Sequence, residues 1–284
     1  MKRLWEYLLS RLTMSGAGGG AQPLSAYSLE VGSICDIGLT RSNNQDHIGN
    51  FRFADNRNIL AVVADGMGGH QGGEIASLTA IETFQRKFAD ETVKRDYPQA
   101  LAKGFAEANS AVYRLSMQSN DLQGMGTTLV ALTIVDGYAY YANTGDSRLY
   151  LLRGGALRQL SQDHTMVAEM VKGGLLSPAA AECHPDRNVI TSAIGSKSTY
   201  KIAVSEKPLL IEAGDYFLLC SDGLYDPVSE GEISRIIRDH PVQAACNRLV
   251  ELANQRGGYD NISAIVIKIT ENSLSDRVVP ITRA

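Results

Sequence analysis

Two uninterrupted apolar runs in this sequence each end at an Asp-Gly pair, and this feature restricts the fold more than any other. The first run, in AVVADGMGGHQGG, ends at Asp65, and the second, in LLCSDGLYD, ends at Asp222. A run that is apolar at every position is typical of a strand that is buried on both faces. A carboxylate at the end of such a strand is costly unless a hydrogen-bond partner or a cation compensates it.

A third Asp-Gly pair serves as an internal comparison. Asp136 and Gly137 lie in ALTIVDGYAYYAN, between two strand-like segments. This spacing predicts a two-residue hairpin whose tip residues have positive φ. We assign this pair a structural role only, because a returning strand follows it directly. No returning strand directly follows Asp65 or Asp222.

Three more acids occupy comparable places along the chain. Asp46 lies in RSNNQDHIG before a strand-like segment, Asp260 immediately precedes the apolar run NISAIVIKI, and Asp146 lies in ANTGDSRLY. Hard divalent cations prefer carboxylate, carbonyl and water oxygens as ligands. The Gly66 carbonyl can approach such an ion closely because glycine has no side chain. We therefore expect a divalent cation to be the natural guest of these acids.

Other common catalytic machineries leave no trace in the sequence. The five histidines, at positions 47, 70, 164, 184 and 240, show no HExxH spacing, so we interpret each as a surface or hydrogen-bonding residue rather than a zinc ligand. GxSxG and GxxxxGKS are both missing. A pair of metal ions that turns a water into the nucleophile is the remaining economical chemistry. Arg41, five residues before Asp46, can supply paired donors to phosphoryl oxygens.

Composition and charge limit the partners and the compartment. The chain has 284 residues and a formal net charge of -4, which gives no electrostatic reason to expect nucleic acid as a partner. The four cysteines are far apart and form no CxxC pair, so we interpret them as reduced and partly buried. No apolar stretch is long enough for a membrane span. We expect a cytoplasmic monomer without stable membrane insertion.

The chain divides into a short appendage, one large domain and a tail. We predict an N-terminal amphipathic segment with a glycine-rich linker over residues 1–27, a single domain over 28–270 and a C-terminal tail over 271–284. Patterns of β-branched and aromatic residues predict strands at 58–64, 127–135, 138–143, 148–153, 215–221 and 261–269. Helical periodicity appears around 78–88, 101–115 and 241–256. These elements predict an α+β fold in which helices cover sheet layers.

The ordered set of motifs resembles the bacterial form of the metal-dependent protein serine/threonine phosphatases, the PPM or type 2C family. The motifs that carry the resemblance are RSNNQD, VVADGMGGH, GMGTT, NTGDSR, QDH, HPDRNVITSAIG, LLCSDGLYD and DNISAIV. The resemblance covers about residues 28–270, and it is specific as a set although each motif alone is weak. It implies a four-layer αββα sandwich, in which two antiparallel sheets are flanked by helices.

The resemblance also implies a role for each acid. Asp65 would bridge two Mn²⁺ or Mg²⁺ ions, the Gly66 carbonyl would bind one of them, and Asp222 and Asp260 would bind the other. Asp46 would contact an ion directly or through a water. The implied phosphate-binding residue is Arg41, and the implied residues of a third, weaker metal site are Asp146, Asp222 and Asp226.

Two positions depart from the family pattern. Gln45 stands where many relatives have Glu, which would weaken one water-mediated metal contact. Met67 stands where eukaryotic relatives have a histidine that is often proposed as the general acid, and a thioether cannot donate a proton. His70 is three residues further on, but our preferred proton donor is a metal-bound water.

The segment TMVAEMVKGGLLSPAAAEC predicts two short helices, with Ser177 as the cap and Pro178 in the first turn of the second helix. By resemblance this segment is the flap beside the active site, and we expect it to shape substrate access.

We expect a phosphatase that acts on phosphoserine and phosphothreonine in proteins and opposes a serine/threonine kinase. One alternative is a weakly catalytic or inactive relative that binds phosphoproteins as a signalling module. Another is a phosphatase for small phosphate esters, which would use the same metals. The presence of every expected metal-binding acid favours the first of these readings.

Overall fold

Two antiparallel sheets lie face to face at the centre of the computed structural model. The structure describes residues 27–52, 58–68, 72–92 and 95–271. Residues 1–26 of the predicted N-terminal segment and the tail beyond residue 271 lie outside the described residues, as does His70, whereas Tyr27 begins a strand. Within the described ranges, no helix combines the length and apolarity that a membrane span requires.

Each sheet is built from strands that are distant in sequence. In chain order the strands are β1 (Tyr27–Asp36), β2 (Asp46–Arg52), β3 (Ile59–Met67), β4 (Gly126–Thr127), β5 (Leu129–Val135), β6 (Tyr138–Thr144), β7 (Arg148–Arg153), β8 (Ala156–Gln159), β9 (Ala203–Val204), β10 (Leu209–Leu210), β11 (Tyr216–Cys220) and β12 (Ile262–Glu271). The first sheet has the order β1-β12-β11-β7-β8. The second has the order β10-β6-β5-β3-β2, with β4 paired to β3 and β9 paired to β6.

Helices cover the outer face of each sheet. In chain order, the α-helices of the described residues are α1 (Gly72–Glu91), α2 (Tyr97–Ser116), α3 (Met166–Lys172), α4 (Pro178–Glu182), α5 (Asp222–Tyr225), α6 (Glu230–Asp239) and α7 (Val242–Gln255). Buried side chains of α1 and α2 share a core with the second sheet, and those of α6 and α7 share a core with the first. The layer order is therefore helix, sheet, sheet, helix, which confirms the predicted αββα sandwich.

The two-residue period of the strands separates three apolar cores. On β3, Ile59, Ala61 and Val63 face the other sheet, whereas Leu60 and Val62 face the helices. On β11 and β12 the same alternation directs Phe217, Leu219, Ile265 and Ile267 into the layer between the sheets. Because both faces of these strands are buried, their sequences are apolar at nearly every position.

Several local expectations are confirmed and others need correction. Asp136 and Gly137 form the predicted hairpin tip between β5 and β6, with φ of 50° and 83°. However, β3 does not end at Asp65: it continues to Met67, where it pairs with β4. The predicted strand 127–135 is divided at Thr128 into β4 and β5. Cys183 is exposed rather than partly buried.

The core under α1 provides a test of the packing. Phe84 is fully buried and contacts the rings of Phe88 and Phe105 at centroid distances of 5.8 and 5.3 Å. We expect Phe84→Ala to lower the free energy of unfolding by about 3 to 5 kcal/mol, because it removes a large buried ring and leaves a cavity. Leu78→Ala on the same helix is the control, since Leu78 is 44% exposed. Chemical denaturation measures both; equal losses would contradict the packing described.

Candidate metal centre

The layer between the two sheets ends in a group of acids. The register of β2 and β3 places Asp46 opposite Asp65. Asp222 begins α5, which follows β11, and Asp260 lies two residues before β12 begins. Asp146 lies in the connection between β6 and β7. The alternation that buries apolar side chains between the sheets thus continues into carboxylates at one end of that layer.

Two of these acids have an unsatisfied oxygen. Asp46 Oδ2 accepts a hydrogen bond from Ser221 Oγ at 2.7 Å, but its buried Oδ1 has no hydrogen-bond partner. The buried Oδ1 of Asp222 also lacks a partner. Buried polar atoms are rarely left without a partner, because each loses its hydration without compensation. These oxygens fit the requirement of a divalent cation, which prefers hard oxygen ligands.

Burial and mutual repulsion raise the pKa values of the clustered acids. Burial raises the pKa of Asp46 to about 6 and that of Asp146 to about 7. Burial is also the largest cause of the raised pKa values of Asp65 and Asp222, and repulsion by the neighbouring carboxylates adds to it. An arrangement that penalises its own negative charge is stabilised when positive charge enters it.

Side chains alone do not complete a metal site here. Among the described residues, no three His, Cys, Asp or Glu side chains form a group that could hold an ion. A divalent cation at this place would also need backbone carbonyls or waters as ligands, which such ions accept. Gly66 is also required by space: a Cβ there would lie 2.1 Å from Gly73 O and 2.6 Å from Gln45 O.

The loop before β2 places Arg41 at the acid group. Arg41 Nη2 lies 2.7 Å from Asp260 Oδ2, and the Arg41 side chain is 50% exposed. Asn261 anchors the loop through hydrogen bonds from its Nδ2 to the carbonyls of Ile37 and Asn43 and from Gln45 N to its Oδ1. Arg41 is therefore held beside the acids while part of its guanidinium faces solvent.

A second network, of hydrogen bonds and a cation–π contact, supports the backbone of Asp146. Arg148 donates to both oxygens of Asp163, and its guanidinium lies 3.8 Å from the centre of the Tyr225 ring. The Tyr225 hydroxyl donates to the Asp146 carbonyl at 3.1 Å. Asp163, Arg148 and Tyr225 lie in or next to the motifs QDH, NTGDSR and LLCSDGLYD, but we predicted no role for them from sequence. Their closeness in sequence to predicted metal ligands could have indicated that they support the site.

Ser221 and Asn261 are two further residues for which we predicted no role from sequence. Each is adjacent in sequence to a predicted ligand, Asp222 and Asp260 respectively. Ser221 accepts a hydrogen bond from Ser263 N at 3.0 Å while its hydroxyl donates to Asp46. The contact across the two sheets could not be read from sequence, because Ser221 and Asp46 are 175 positions apart.

Asp226 lies at the edge of the group, next to the segment that follows the flap. Arg187 Nη2 and Asn188 Nδ2 lie 3.5 and 3.3 Å from Asp226 Oδ2. A cavity of about 410 Å³ opens over Asp222, Asp226 and Asp260. The flap contains the two predicted helices, α3 and α4, and Ser177 Oγ caps α4 by accepting from Ala180 N.

The structure shows the local contacts of Gln45 and Met67, the two positions that depart from the family pattern. Gln45 Nε2 donates to Gly68 O at 3.3 Å, so its amide ties the loop before β2 to the turn after β3. Met67 occupies a strand position opposite Gly126. The four histidines in the described part of the chain, at positions 47, 164, 184 and 240, each form a hydrogen bond through Nδ1.

Comparison with known proteins shows the family. The family described as protein phosphatase 2C matches residues 40–260. The chain belongs to the protein phosphatase 2C family. The resemblance inferred from the motifs, the four-layer fold and the protein phosphatase class are thereby confirmed. The acids described above lie within or at the border of the matched range.

Two curated relatives and two solved structures extend the comparison. The protein phosphatase PhpP of Streptococcus pneumoniae is 38% identical over 248 residues, which cover 86% of this chain and 98% of PhpP. The serine/threonine phosphatase Stp of Listeria monocytogenes is 35% identical, with 82% of this chain and 93% of Stp covered.

The crystal structure of the Mycobacterium tuberculosis phosphatase PstP is similar with a TM-score of 0.77 and 36% identity, over 86% of this chain and 99% of that one. A second structure, the catalytic domain of PstP in complex with two manganese ions, is similar with a TM-score of 0.73 and 34% identity, over 86% of this chain and all of that one. The bound manganese belongs to PstP. For this chain, the family and that neighbour support metal-dependent catalysis.

The raised pKa values predict how Mn²⁺ stabilises the protein. The unfolded chain loses its carboxyl protons near pH 4, whereas folded Asp46 and Asp146 lose theirs near pH 6 and 7. Without metal, the contribution of these acids to stability is therefore fully present below about pH 4 and is lost as the pH rises through 6 to 7. Mn²⁺ must displace the retained protons, so it binds more tightly at higher pH.

We therefore expect the Mn²⁺-induced rise in Tm to be larger at pH 7.5 than at pH 5.5. Scanning calorimetry of EDTA-treated protein, with and without Mn²⁺, measures this difference. The comparison with and without Mn²⁺ at each pH cancels titrations that Mn²⁺ does not affect. A rise in Tm that is equal at both pH values, or larger at pH 5.5, would contradict the assignment.

Ser221 provides a test through a residue that touches no proposed ion. We expect Ser221→Ala to weaken Mn²⁺ binding by about tenfold, because Asp46 loses the hydrogen bond that orients it and favours its charged form. Titration calorimetry measures the affinity. Ser110→Ala is the matched control, since the Ser110 hydroxyl donates only to Ala106 O on the exposed side of α2. Unchanged affinity in Ser221→Ala would show that Asp46 needs no such support.

Proposed function

We propose that this protein removes phosphate from phosphoserine and phosphothreonine in proteins, in a reaction that depends on Mn²⁺ or Mg²⁺. The observation that carries the proposal is the group of acids at one end of the layer between the sheets, in which Asp46 and Asp222 each have a buried oxygen without a partner and Arg41 is paired to Asp260 at the edge. Membership of the protein phosphatase 2C family and the names of the relatives support the substrate class.

The proposed ligands fall into two groups. Two ions would be held by Asp65, the Gly66 carbonyl, Asp222 and Asp260, with Asp46 contacting one directly or through water. A third, weaker site would use Asp146, Asp222 and Asp226. When bound, the ions would supply the positive charge that lowers the pKa of a water and offsets the charge of the phosphoryl group.

The residues of the chain itself orient the substrate. Arg41 offers donors in a planar fork that matches the oxygens of a phosphate, and its pairing with Asp260 limits the positions of that fork. Asp46 is held by Ser221, so its second oxygen is directed without conformational search. Asp46 lies on β2, and Asn261 anchors the loop that carries Arg41, which lowers the cost of assembling the site when the substrate binds.

The wider setting of the protein is part of the proposal. We infer a single catalytic domain over residues 28–270, with a separate N-terminal segment over 1–27 and a tail over 271–284. We also propose a cytoplasmic monomer that takes part in signalling against a serine/threonine kinase. The retained set of acids favours catalysis over a role as a phosphoprotein-binding module without turnover.

The first experiment is phosphate release from a phosphothreonine peptide. We expect activity with Mn²⁺ or Mg²⁺, none with EDTA, and near-complete loss in Asp222→Ala, because this change removes a shared ligand. Activity that persists in EDTA would refute the metal-dependent mechanism. If folded protein released no phosphate with either ion, the role as a binding module would be favoured instead.

A second variant tests the role of Arg41. We expect Arg41→Ala to raise KM for the phosphopeptide by about tenfold or more, because the charged donors to the phosphoryl oxygens are lost. Arg114→Ala is the control: Arg114 lies on α2, its side chain is 67% exposed, and it pairs only loosely with Glu107 at 3.7 Å. Steady-state kinetics give KM and kcat separately. Equal KM values in both variants would remove Arg41 from the proposed site.

A further inference from the structure

An exposed apolar ledge borders the cavity over the acids. We define the ledge as Leu39 and Tyr259, which are 70% and 75% exposed. The large apolar residues that are exposed in the described part of the chain are Ile37, Leu39, Leu78, Met117, Leu175, Val189 and Tyr259. Three of these seven lie in or next to the ledge, because Ile37 belongs to the same loop as Leu39. Clustering of this kind marks surfaces that bind a partner.

The backbone beneath the ledge holds both side chains in place. Leu39 N and Thr40 N donate to Gly258 O at 2.8 and 3.1 Å. A Cβ on Gly258 would lie 2.9 Å from Leu39 Cγ, and a Cβ on Gly257 would lie 2.3 Å from the Tyr259 ring. The two side chains therefore lie against bare glycine backbone. Each side chain packs against glycine on one side and is exposed on the other, so a ligand need not order it on binding.

The ledge is continuous with the proposed catalytic site. Tyr259 lines the same cavity as Asp222 and Asp260, and it immediately precedes Asp260 in the chain. Leu39 lies two residues before Arg41. An extended peptide advances about 3.3 to 3.6 Å per residue. A peptide whose phosphoryl group reaches Arg41 and Asp260 therefore brings residues within about three positions of the phosphoresidue to the ledge.

The chemistry of the ledge selects the kind of side chain. Leu39 and Tyr259 offer an aliphatic and an aromatic surface. The nearby Arg256 is already paired with Glu232 at 2.6 and 2.8 Å, so it does not present an unopposed charge. A large apolar side chain gains most from covering such a surface, whereas a charged one gains no ion pair from Leu39 or Tyr259 themselves.

We propose that the ledge binds a large apolar side chain within three positions of the phosphoserine or phosphothreonine, and that it thereby selects phosphoprotein substrates. The inference rests on the proposed phosphatase function, since it assigns a substrate class to that same site. The other occupants to consider are the N-terminal segment of this chain and a second copy of it.

The test compares two phosphothreonine peptides that differ only at the three positions on each side. One peptide has leucines there and the other has glycines. With Mn²⁺, we expect kcat/KM to be about five- to tenfold higher for the leucine peptide, as partial burial of one large apolar side chain provides. In the double variant Leu39→Ser with Tyr259→Ser, the ratio should fall to about one. Met117→Ser, an exposed apolar position outside the ledge, should keep the wild-type ratio.

The ratio separates failure of the ledge from failure of the enzyme. A wild-type ratio near one, or a ratio that survives the double variant, would overturn the ledge while leaving the phosphatase function intact. A ledge covered by the N-terminal segment or by a second copy would also give a ratio near one. If wild-type protein released phosphate from neither peptide, the phosphatase function would fail. Fluorescence anisotropy of the same labelled peptides with Mn²⁺ would then decide whether the leucine peptide still binds more tightly and whether the double variant removes that preference.

Discussion

The repulsion among buried carboxylates is the constraint on which the rest of this structure depends. Asp46 and Asp65 are paired across two strands, and the charges of Asp222, Asp146 and Asp260 all act on Asp65. A chain that only had to fold would place apolar residues at these positions, because they continue a buried layer. The fold tolerates the acids because the surrounding strands are fixed by three apolar cores. Local instability at the acids is thus offset elsewhere, as is common at functional sites.

Supporting hydrogen bonds turn this repulsion into a defined geometry. Ser221 holds one oxygen of Asp46, and Asn261 joins the Arg41 loop to the strand that follows Asp260. Behind Asp146, Arg148 is fixed by Asp163 and covers the ring of Tyr225. None of these groups needs to contact substrate. Each instead restricts the position of a residue of the proposed site, namely Asp46, Arg41 or Asp146.

The sequence predicted the layers of the fold and the acids, but not the contacts between distant segments. Apolar runs identified β3, β7 and β11 because both faces of these strands are buried. Helical periodicity identified α7 because one side of this helix is buried. The strand β1 was not predicted, because its residues are only partly buried along much of its length. The hydrogen bond between Ser221 and Asp46 joins positions that no local pattern relates. The end of β3 was misplaced because Asp-Gly usually stops a strand, whereas here pairing with β4 carries it two residues further.

The division between strands and loops suggests how chemistry and substrate choice are separated in this protein. Asp46 and Asp65 lie on strands of the inter-sheet layer, where a one-residue change of register would move every side chain to the other face. Leu39 and Tyr259 instead lie in connections that are held by backbone hydrogen bonds and by close contact with two glycines. Side chains on such connections can change without disturbing the sheets. Substrate preference can therefore vary at the ledge while the geometry around Asp65 stays fixed, because Asp65 lies on β3 and neither ledge residue lies on a strand.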